Sequence, residues 1–298
     1  MKKIIFAFWI IITSTVIFAQ EKGFHLTLGG NVGQTGFSYK LNSGTPNPGL
    51  GFGAFVGAQY YFNKYVGVSV GLDFSSFNTY SYFEEKKMTS DKNDSCKIIV
   101  SLVDWKENQR TLFFEIPLLM KFQYKWGAKE LHGFYFGLGL KIQIPFSSFY
   151  KTTTGTVSVS AEAQPAFPLD EEYNVPFPWN SLETKDKKFW SGENQLKRGS
   201  AIIGEAGLLI GLSRRVSLMF GVSADYGFGN LKQNTFPLLE KVNNKTNYKT
   251  SIDDQPEETV KYNGVLNSKE TKIIYPFSVR GNVGLKIKRI KSRKHRKK

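Results

Sequence analysis

The sequence predicts an all-β fold: a transmembrane up-and-down antiparallel β-barrel of eight strands with long extracellular loops. Three observations predict it. Apolar residues alternate with polar or small ones in eight segments, most of them about 13 to 17 residues long. The connections between these segments are alternately short and long. Aromatic residues collect near both ends of the apolar faces, with aliphatic residues between them.

The alternating segments are too long for ordinary strands of a soluble domain. Globular strands usually have about 5 or 6 residues, whereas a tilted strand needs roughly 9 to 11 to cross a bilayer. A period of two gives each strand one apolar and one polar or small face. The eight predicted strands, in chain order, are Phe24–Lys40, Leu50–Phe62, Tyr65–Phe77, Leu112–Trp126, Phe134–Phe146, Ser200–Leu212, Val216–Gly229 and Ile273–Lys288.

The connections favour a barrel over a soluble β-sandwich, which would show the same alternation. Asn63–Lys64, Gly127–Gly133 and Ser213–Arg214 are short. Outer-membrane barrels have short periplasmic turns and long external loops. Two further apolar segments, Lys97–Trp105 and Thr156–Ala163, are interpreted as hairpin arms above the membrane, because a ten-strand count would break the alternation. The long connections are Leu41–Gly49, Asn78–Arg110, Lys151–Gly199 and Leu231–Lys272, of 9, 33, 49 and 42 residues.

Aromatic residues at both ends of the apolar faces predict two girdles at the boundaries between water and lipid. A sandwich core gives no reason for such sorting. The girdle expected near the short turns contains Phe24, Tyr60, Phe62, Tyr124, Trp126, Phe134 and Phe136, and the other contains Phe52, Phe74, Phe114, Phe146, Tyr226, Phe228, Tyr275 and Phe277.

The chain divides into three predicted parts. Residues 1–19 have the features of a secretory signal peptide, with two lysines, an apolar run and a small residue at the cleavage point; a retained anchor is the alternative. Residues 20–290 form the barrel, and residues 291–298 a basic periplasmic tail. One cysteine excludes a disulfide framework within the chain. A mean hydropathy of −0.29 argues against a polytopic helical protein.

The net charge of +15 is concentrated at one end of the predicted barrel, because the long loops are almost neutral. The last 13 residues contain nine Lys or Arg residues. Nucleic acid is an unexpected partner for an exported chain, so we expect anionic lipid or cell-wall polymer at this tail. The alternative is a solvated tail without a partner.

Charged residues on the inward face predict an ion-pair network, since an isolated charge inside an eight-stranded barrel would be costly. Counting from the turns places Glu205, Lys141 and Arg280 near mid-height, and Asp73, Glu115 and Asp225 nearer the outer mouth. We expect Arg280 to pair with Glu205 or another inward acid. A gate or proton relay is the alternative. The predicted network contains Asp73, Glu115, Lys121, Lys141, Glu205, Asp225 and Arg280.

Catalytic chemistry is not expected, because the histidines, His25, His132 and His295, are predicted to lie away from the outer rim. Cys96 lacks a nearby histidine, and neither metal-ligand spacing nor a phosphate loop is present, so no metal or cofactor is expected.

Exposed aromatics anchor many binding surfaces. The candidate binding residues for a protein or glycan are therefore those of the longest loop, Phe177, Trp179, Phe189 and Trp190; the alternative is that they pack into a cap.

The segment Phe113–Phe122, FFEIPLLMKF, resembles a motif typical of the PorT-like outer-membrane β-barrel proteins of Bacteroidota. The resemblance implies an outer-membrane barrel, and some members of that family assist protein secretion. Unlike many such barrels, the last strand reaches Leu285 and Ile287 without a terminal aromatic residue.

The sequence therefore predicts a non-enzymatic protein of the outer membrane of a Gram-negative bacterium, with both termini in the periplasm. It is expected to display large surface loops for envelope structure, adhesion or secretion assistance. The alternatives are a small-solute pore and, third, an outer-membrane enzyme.

Overall fold

The structure, a computed structural model, describes residues 23–41, 44–91, 96–127, 131–163, 182–183, 190–213, 215–233, 235–242, 259–269 and 271–288. Twelve strands are found in these ranges. They are β1 (Gly23–Tyr39), β2 (Thr45–Tyr61), β3 (Val66–Asp91), β4 (Cys96–Trp126), β5 (His132–Ala163), β6 (Leu182–Glu183), β7 (Ser191–Glu193), β8 (Gly199–Gly211), β9 (Val216–Gly227), β10 (Leu239–Val242), β11 (Thr259–Tyr262) and β12 (Ile274–Lys288).

Eight of the strands close into a ring of antiparallel neighbours. The order around it is β1, β2, β3, β4, β5, β8, β9 and β12, and β12 pairs with β1 to complete the circle. The short strands β6 and β7 add to β5, while β10 and β11 form a separate pair. The predicted antiparallel β-barrel is confirmed. The described residues contain no helix long and apolar enough to span a membrane.

The wall of the barrel shows its apolar face outward. On β5, Leu138 and Leu140 are 52% and 55% exposed, whereas the side chain between Leu140 and Ile142, that of Lys141, is 1% exposed. The same arrangement, with apolar side chains exposed and polar side chains buried, recurs around the ring. A soluble sandwich would bury these leucines, so the exposed apolar band is the surface that faces lipid.

The two predicted hairpin arms are β-strands, as expected, but each is continuous with a wall strand instead of separate from it. Lys97–Trp105 is the first part of β4 and Thr156–Ala163 is the last part of β5, and the two pair with each other. Asp104 and Gly155 have φ of 49° and 133°, and the register shifts between Val103 and Lys106. The breaks in alternation are therefore bulges, which bend a ladder without ending it.

Continuation of the strands changes the predicted loop lengths. β3, β4 and β5 have 26, 31 and 32 residues, and only residues 92–95 separate β3 from β4. The predicted 33-residue loop Asn78–Arg110 is thus mostly strand. We call the end at which these three strands extend the long-strand end, and the opposite end the short-turn end.

A hydrophobic core fills the long-strand end. It is built from the end of β1, the extensions of β3, β4 and β5, and residues that follow β9. The predicted loop Leu231–Lys272 is therefore partly interior, because its described residues pack inward over the mouth of the ring. We call this core the cap; its buried residues are Phe37, Tyr39, Leu41, Phe77, Phe83, Leu102, Trp105, Phe113, Tyr150, Leu231, Leu238, Tyr262, Val265, Leu266 and Ile274.

Candidate functional site

Four charged side chains from four strands meet inside the ring below the cap. Glu115 projects from β4, Lys141 from β5, Asp225 from β9 and Arg280 from β12. The Nζ atom of Lys141 lies 3.2 Å from Glu115 Oε2 and 2.9 Å from Asp225 Oδ2. Arg280 Nη2 lies 3.4 Å from Glu115 Oε2 and 2.8 Å from Asp225 Oδ2. Two cations and two carboxylates thus form a neutral cluster, which we call the central ion cluster.

Neutral polar groups complete the central ion cluster. Gln143 Nε2 and Ser75 Oγ donate to the Glu115 carboxylate at 2.7 and 2.6 Å. Ser278 Oγ donates to Asp225 Oδ2 at 2.6 Å. Charged groups can be buried without water only when paired and hydrogen-bonded in this way. The cluster therefore fills the middle of the ring with fixed side chains.

The central ion cluster shows that the partners of Arg280 are inward acids other than Glu205. Glu205 forms an ion pair with Lys121, whereas Arg280 contacts Glu115 and Asp225. Strands of a barrel are tilted and staggered, so residues at equal counts from their turns do not lie at equal height across the lumen. This geometry also brings Glu115 and Asp225, predicted nearer the outer mouth, level with Lys141.

A small cavity lies beside the central ion cluster. Its volume is about 60 Å³, and its lining includes Asn31, Asp73, Lys121, Glu205 and Arg280. A space of this size, lined by polar and charged side chains, has room for ordered water. Asp73 faces this cavity, so the seven predicted interior residues divide into a cluster of four, one further pair and an acid at the cavity.

The short-turn end of the lumen is also filled. Lys286 Nζ donates to Gln123 Oε1 at 2.9 Å and to the Tyr61 hydroxyl at 3.1 Å. The ring of His25 contacts Tyr61 edge-on, with centroids 5.4 Å apart. His25 is therefore buried at this end, remote from the cap. His132 begins β5 at the same end, while His295 lies outside the described residues.

The cap is ordered around one carboxylate, Glu107, which is 0% exposed. The Tyr262 hydroxyl donates to Glu107 Oε2 at 2.6 Å, and Gln109 Nε2 donates to Oε1 at 2.7 Å. The backbone N–H of Val265 donates to both oxygens at 3.1 Å. Burial raises the pKa of Glu107 to about 7, against the lowering effect of these hydrogen bonds. Through these hydrogen bonds, Glu107 on β4 holds β11 and the residues just after it in place.

Aromatic rings pack around this carboxylate. Trp105, Trp190 and Tyr262 lie with centroids 5.4 to 5.5 Å apart, and Trp105 Nε1 donates to the Tyr262 hydroxyl. Tyr150 OH donates to the Tyr262 carbonyl at 2.6 Å. The proposed binding role of Trp190 is therefore not favoured, because this half-buried ring belongs to the cap.

Other predicted loop and end features fall where no structure is described. Phe177, Trp179 and Phe189 lie outside the described residues, as do residues 1–19 and the tail 291–298.

Sequence reasoning missed Glu107 and Tyr262, since neither belongs to a recognisable motif. The only signal was the apolar pair Val265-Leu266 within a polar stretch. Among the described residues, no group of three or more His, Cys, Asp or Glu side chains could hold a metal ion.

Solved structures of outer-membrane proteins resemble the chain at low sequence identity. Neisserial surface protein A is 11% identical, covers 90% of this chain and 99% of its own, and gives a TM-score of 0.36. OprG from Pseudomonas aeruginosa is 12% identical, with coverages of 92% and 100% and a TM-score of 0.38. Ail, the attachment invasion locus protein of Yersinia pestis, is 9% identical, with coverages of 90% and 100% and a TM-score of 0.32.

The chain matches a protein family more clearly than it matches these individual structures. No curated protein sequence matches the chain. The model of the family described as outer membrane protein beta-barrel domain matches residues 18–233, which is most of the chain. The chain therefore belongs to the outer membrane protein beta-barrel domain family.

Proposed function

We propose that this outer-membrane protein is a closed, non-enzymatic scaffold that presents a rigid capped surface to the cell exterior, for adhesion, envelope structure or secretion assistance. The observation that carries the proposal is the filling of the lumen at three levels. The cap, the central ion cluster and the Lys286 hydrogen bonds succeed one another along the barrel axis.

Closure argues against the small-solute pore. Eight strands enclose a space that side chains can fill, and the cavity beside the central ion cluster has a volume of only about 60 Å³. Opening a path would require breaking buried ion pairs and removing the cap. A scaffold needs neither change, and a rigid cap suits the display of surface segments.

The lengths of the strand extensions suggest how the barrel is oriented in the membrane. We propose that the long-strand end faces outward and that both termini lie in the periplasm, because long extensions are typical of the external side of outer-membrane barrels. Basic residues flank the short-turn end, including Lys64, Lys125 and Lys288. The basic tail would then meet anionic lipid or cell-wall polymer. A PorT-like assignment and a role in secretion rest on the FFEIPLLMKF segment.

Conductance and surface labelling test this proposal. Purified protein in planar bilayers should give no steady single-channel currents, and reproducible open-channel currents would replace the scaffold with the pore. A peptide tag inserted between residues 171 and 172 should be reached by antibody on intact cells. Detection only after the outer membrane is permeabilised would reverse the orientation.

Adhesion is tested by removing residues 171–181, which takes out Phe177 and Trp179 but spares β6 and Trp190, so that the aromatic cap stays in place. Cells with this deletion should lose attachment to host or matrix surfaces while the barrel keeps its heat-modifiable gel mobility. Unchanged attachment would assign the binding surface to the cap or to other loops.

A further inference from the structure

A gap in strand pairing opens the wall of the barrel beside β5. β8 pairs with β5 as far as Gln143, and β7 begins to pair at Phe149. Between them, Phe146 is an extra residue where the β4–β5 register shifts, and Pro145 has no N–H to donate. The segment after β7 spans the gap, with the N–H of Asn194 donating to the Ser148 carbonyl at 2.9 Å.

A cavity of about 210 Å³ occupies this gap. Its lining includes Phe146, Ser147, Phe149, Asn194 and Gln233. We call it the β5 notch. For comparison, an apolar cavity of about 150 Å³ holds one benzene molecule. The notch therefore has room for one substituted six-membered ring.

The β5 notch opens at the depth of lipid headgroups. Phe146 and Phe149 are each 51% exposed on the outer face of the wall. The Phe146 ring lies 5.0 Å from that of Phe74, another exposed ring. Exposed aromatic rings at this end form the girdle that marks the boundary between water and lipid. A headgroup in the adjoining leaflet can thus reach the notch from the side.

An unsatisfied amide lies in the lining. Asn194 is 6% exposed, and neither its Nδ2 nor its Oδ1 atom has a hydrogen-bond partner among the described residues. A buried amide without partners is destabilising, so such groups usually bind water or a ligand. Rotation of this side chain about its terminal bond would present one donor and one acceptor to the notch.

The chemistry of the lining selects the class of ligand. Its described residues include neither Lys nor Arg, and Glu193 is their single formal charge. A phosphate or sulfate group would lack a counter-charge there. Hydroxyl and amide groups beside an exposed phenyl ring match the hydroxyls and the C–H face of a sugar.

We propose that the β5 notch is a saccharide subsite that takes one sugar ring, with the Asn194 carboxamide hydrogen-bonding to its hydroxyls. The ring can come from a glycolipid headgroup of the outer leaflet or from a soluble oligosaccharide. The glycolipid source rests on the proposed outward orientation of the long-strand end. Binding by the purified protein does not depend on that orientation.

The test compares two probes with the protein in phosphatidylcholine nanodiscs: rough lipopolysaccharide, and the core oligosaccharide released from it. Asn194→Leu keeps the side-chain volume and removes both amide atoms. Asn108→Ala is the matched control, because Asn108 lies on β4 outside the notch and its buried Oδ1 also lacks a partner among the described residues. Dissociation constants are measured by native mass spectrometry or thermophoresis.

We expect wild type and Asn108→Ala to bind alike, and Asn194→Leu to bind about tenfold more weakly, the effect of roughly one hydrogen bond. Binding of both probes supports a soluble source as well, and binding of lipopolysaccharide alone supports the glycolipid. Ser147→Trp, which fills the notch, should abolish binding, and this variant decides the test if Asn194→Leu does not fold. Absence of binding to either probe, or equal affinity in wild type and notch variants, would overturn the proposal.

Discussion

Removal of the Arg280 guanidinium should leave one uncompensated carboxylate in the central ion cluster. In Arg280→Met, Lys141 alone remains to balance Glu115 and Asp225, all of which are at most 1% exposed at the side chain. Breaking a buried pair in this way costs about 3 to 5 kcal/mol. We expect a loss at the lower end of that range, because the neighbouring cavity of about 60 Å³ can admit water.

A double-mutant cycle identifies the partner of Arg280. Arg280→Met with Asp225→Asn restores a neutral cluster, so the double variant should be less destabilised than the sum of the singles by at least about 1 kcal/mol. Arg280→Met with Glu205→Gln is the matched control, because Glu205 pairs with Lys121. Its coupling should be below about 0.5 kcal/mol.

The free energies of unfolding would be measured by urea titration of protein folded in lipid vesicles, with heat-modifiable gel mobility to show that each variant is inserted. Additive effects for the Asp225 pair would refute the ion-pair reasoning. So would a coupling with Glu205 as large as that with Asp225.

Three further predictions concern the cap and the wall. Because the folded pKa of Glu107 is about 7, above its ordinary 4.5, the folded cap holds the proton more tightly than the unfolded one. Its stability should therefore fall as the pH rises from about 4.5 to 7, and Glu107→Gln should reduce this dependence in urea titrations followed by near-ultraviolet circular dichroism; an unchanged profile would remove Glu107 as the cause. Gly264 has a φ of 77°, and a Cβ there would lie 2.6 Å from the Tyr150 ring. Gly264→Ala should therefore destabilise the cap by about 1 to 3 kcal/mol in the same assay. Gly204→Ala, which has space for a Cβ, should leave the stability of the cap unchanged. Finally, because every wall strand has two neighbours, the unheated protein should migrate differently from the boiled protein on a gel; identical mobility would contradict the closed ring.

The sequence by itself determined the wall of this barrel. A period of two is a local property of each strand, so the alternation in Phe134–Phe146 is enough to show which side chains share a face. The alternately short and long connections then assign the apolar face to lipid. The turns were equally clear, because Asn63–Lys64 and Ser213–Arg214 interrupt the alternation within a few residues. The same local reasoning misplaced the far ends of β4 and β5, since a bulge at Asp104 and Gly155 interrupts the pattern just as a turn does.

Only the tertiary structure decided what fills the barrel. The contact between Trp105 and Tyr262 joins residues 157 positions apart, and that between Arg280 and Glu115 joins residues 165 apart. No sequence pattern encodes such partners, because tilt and stagger of the strands set which inward side chains meet across the lumen. The sequence shows that charges face inward, but which cation lies beside which carboxylate depends on closure of the whole ring.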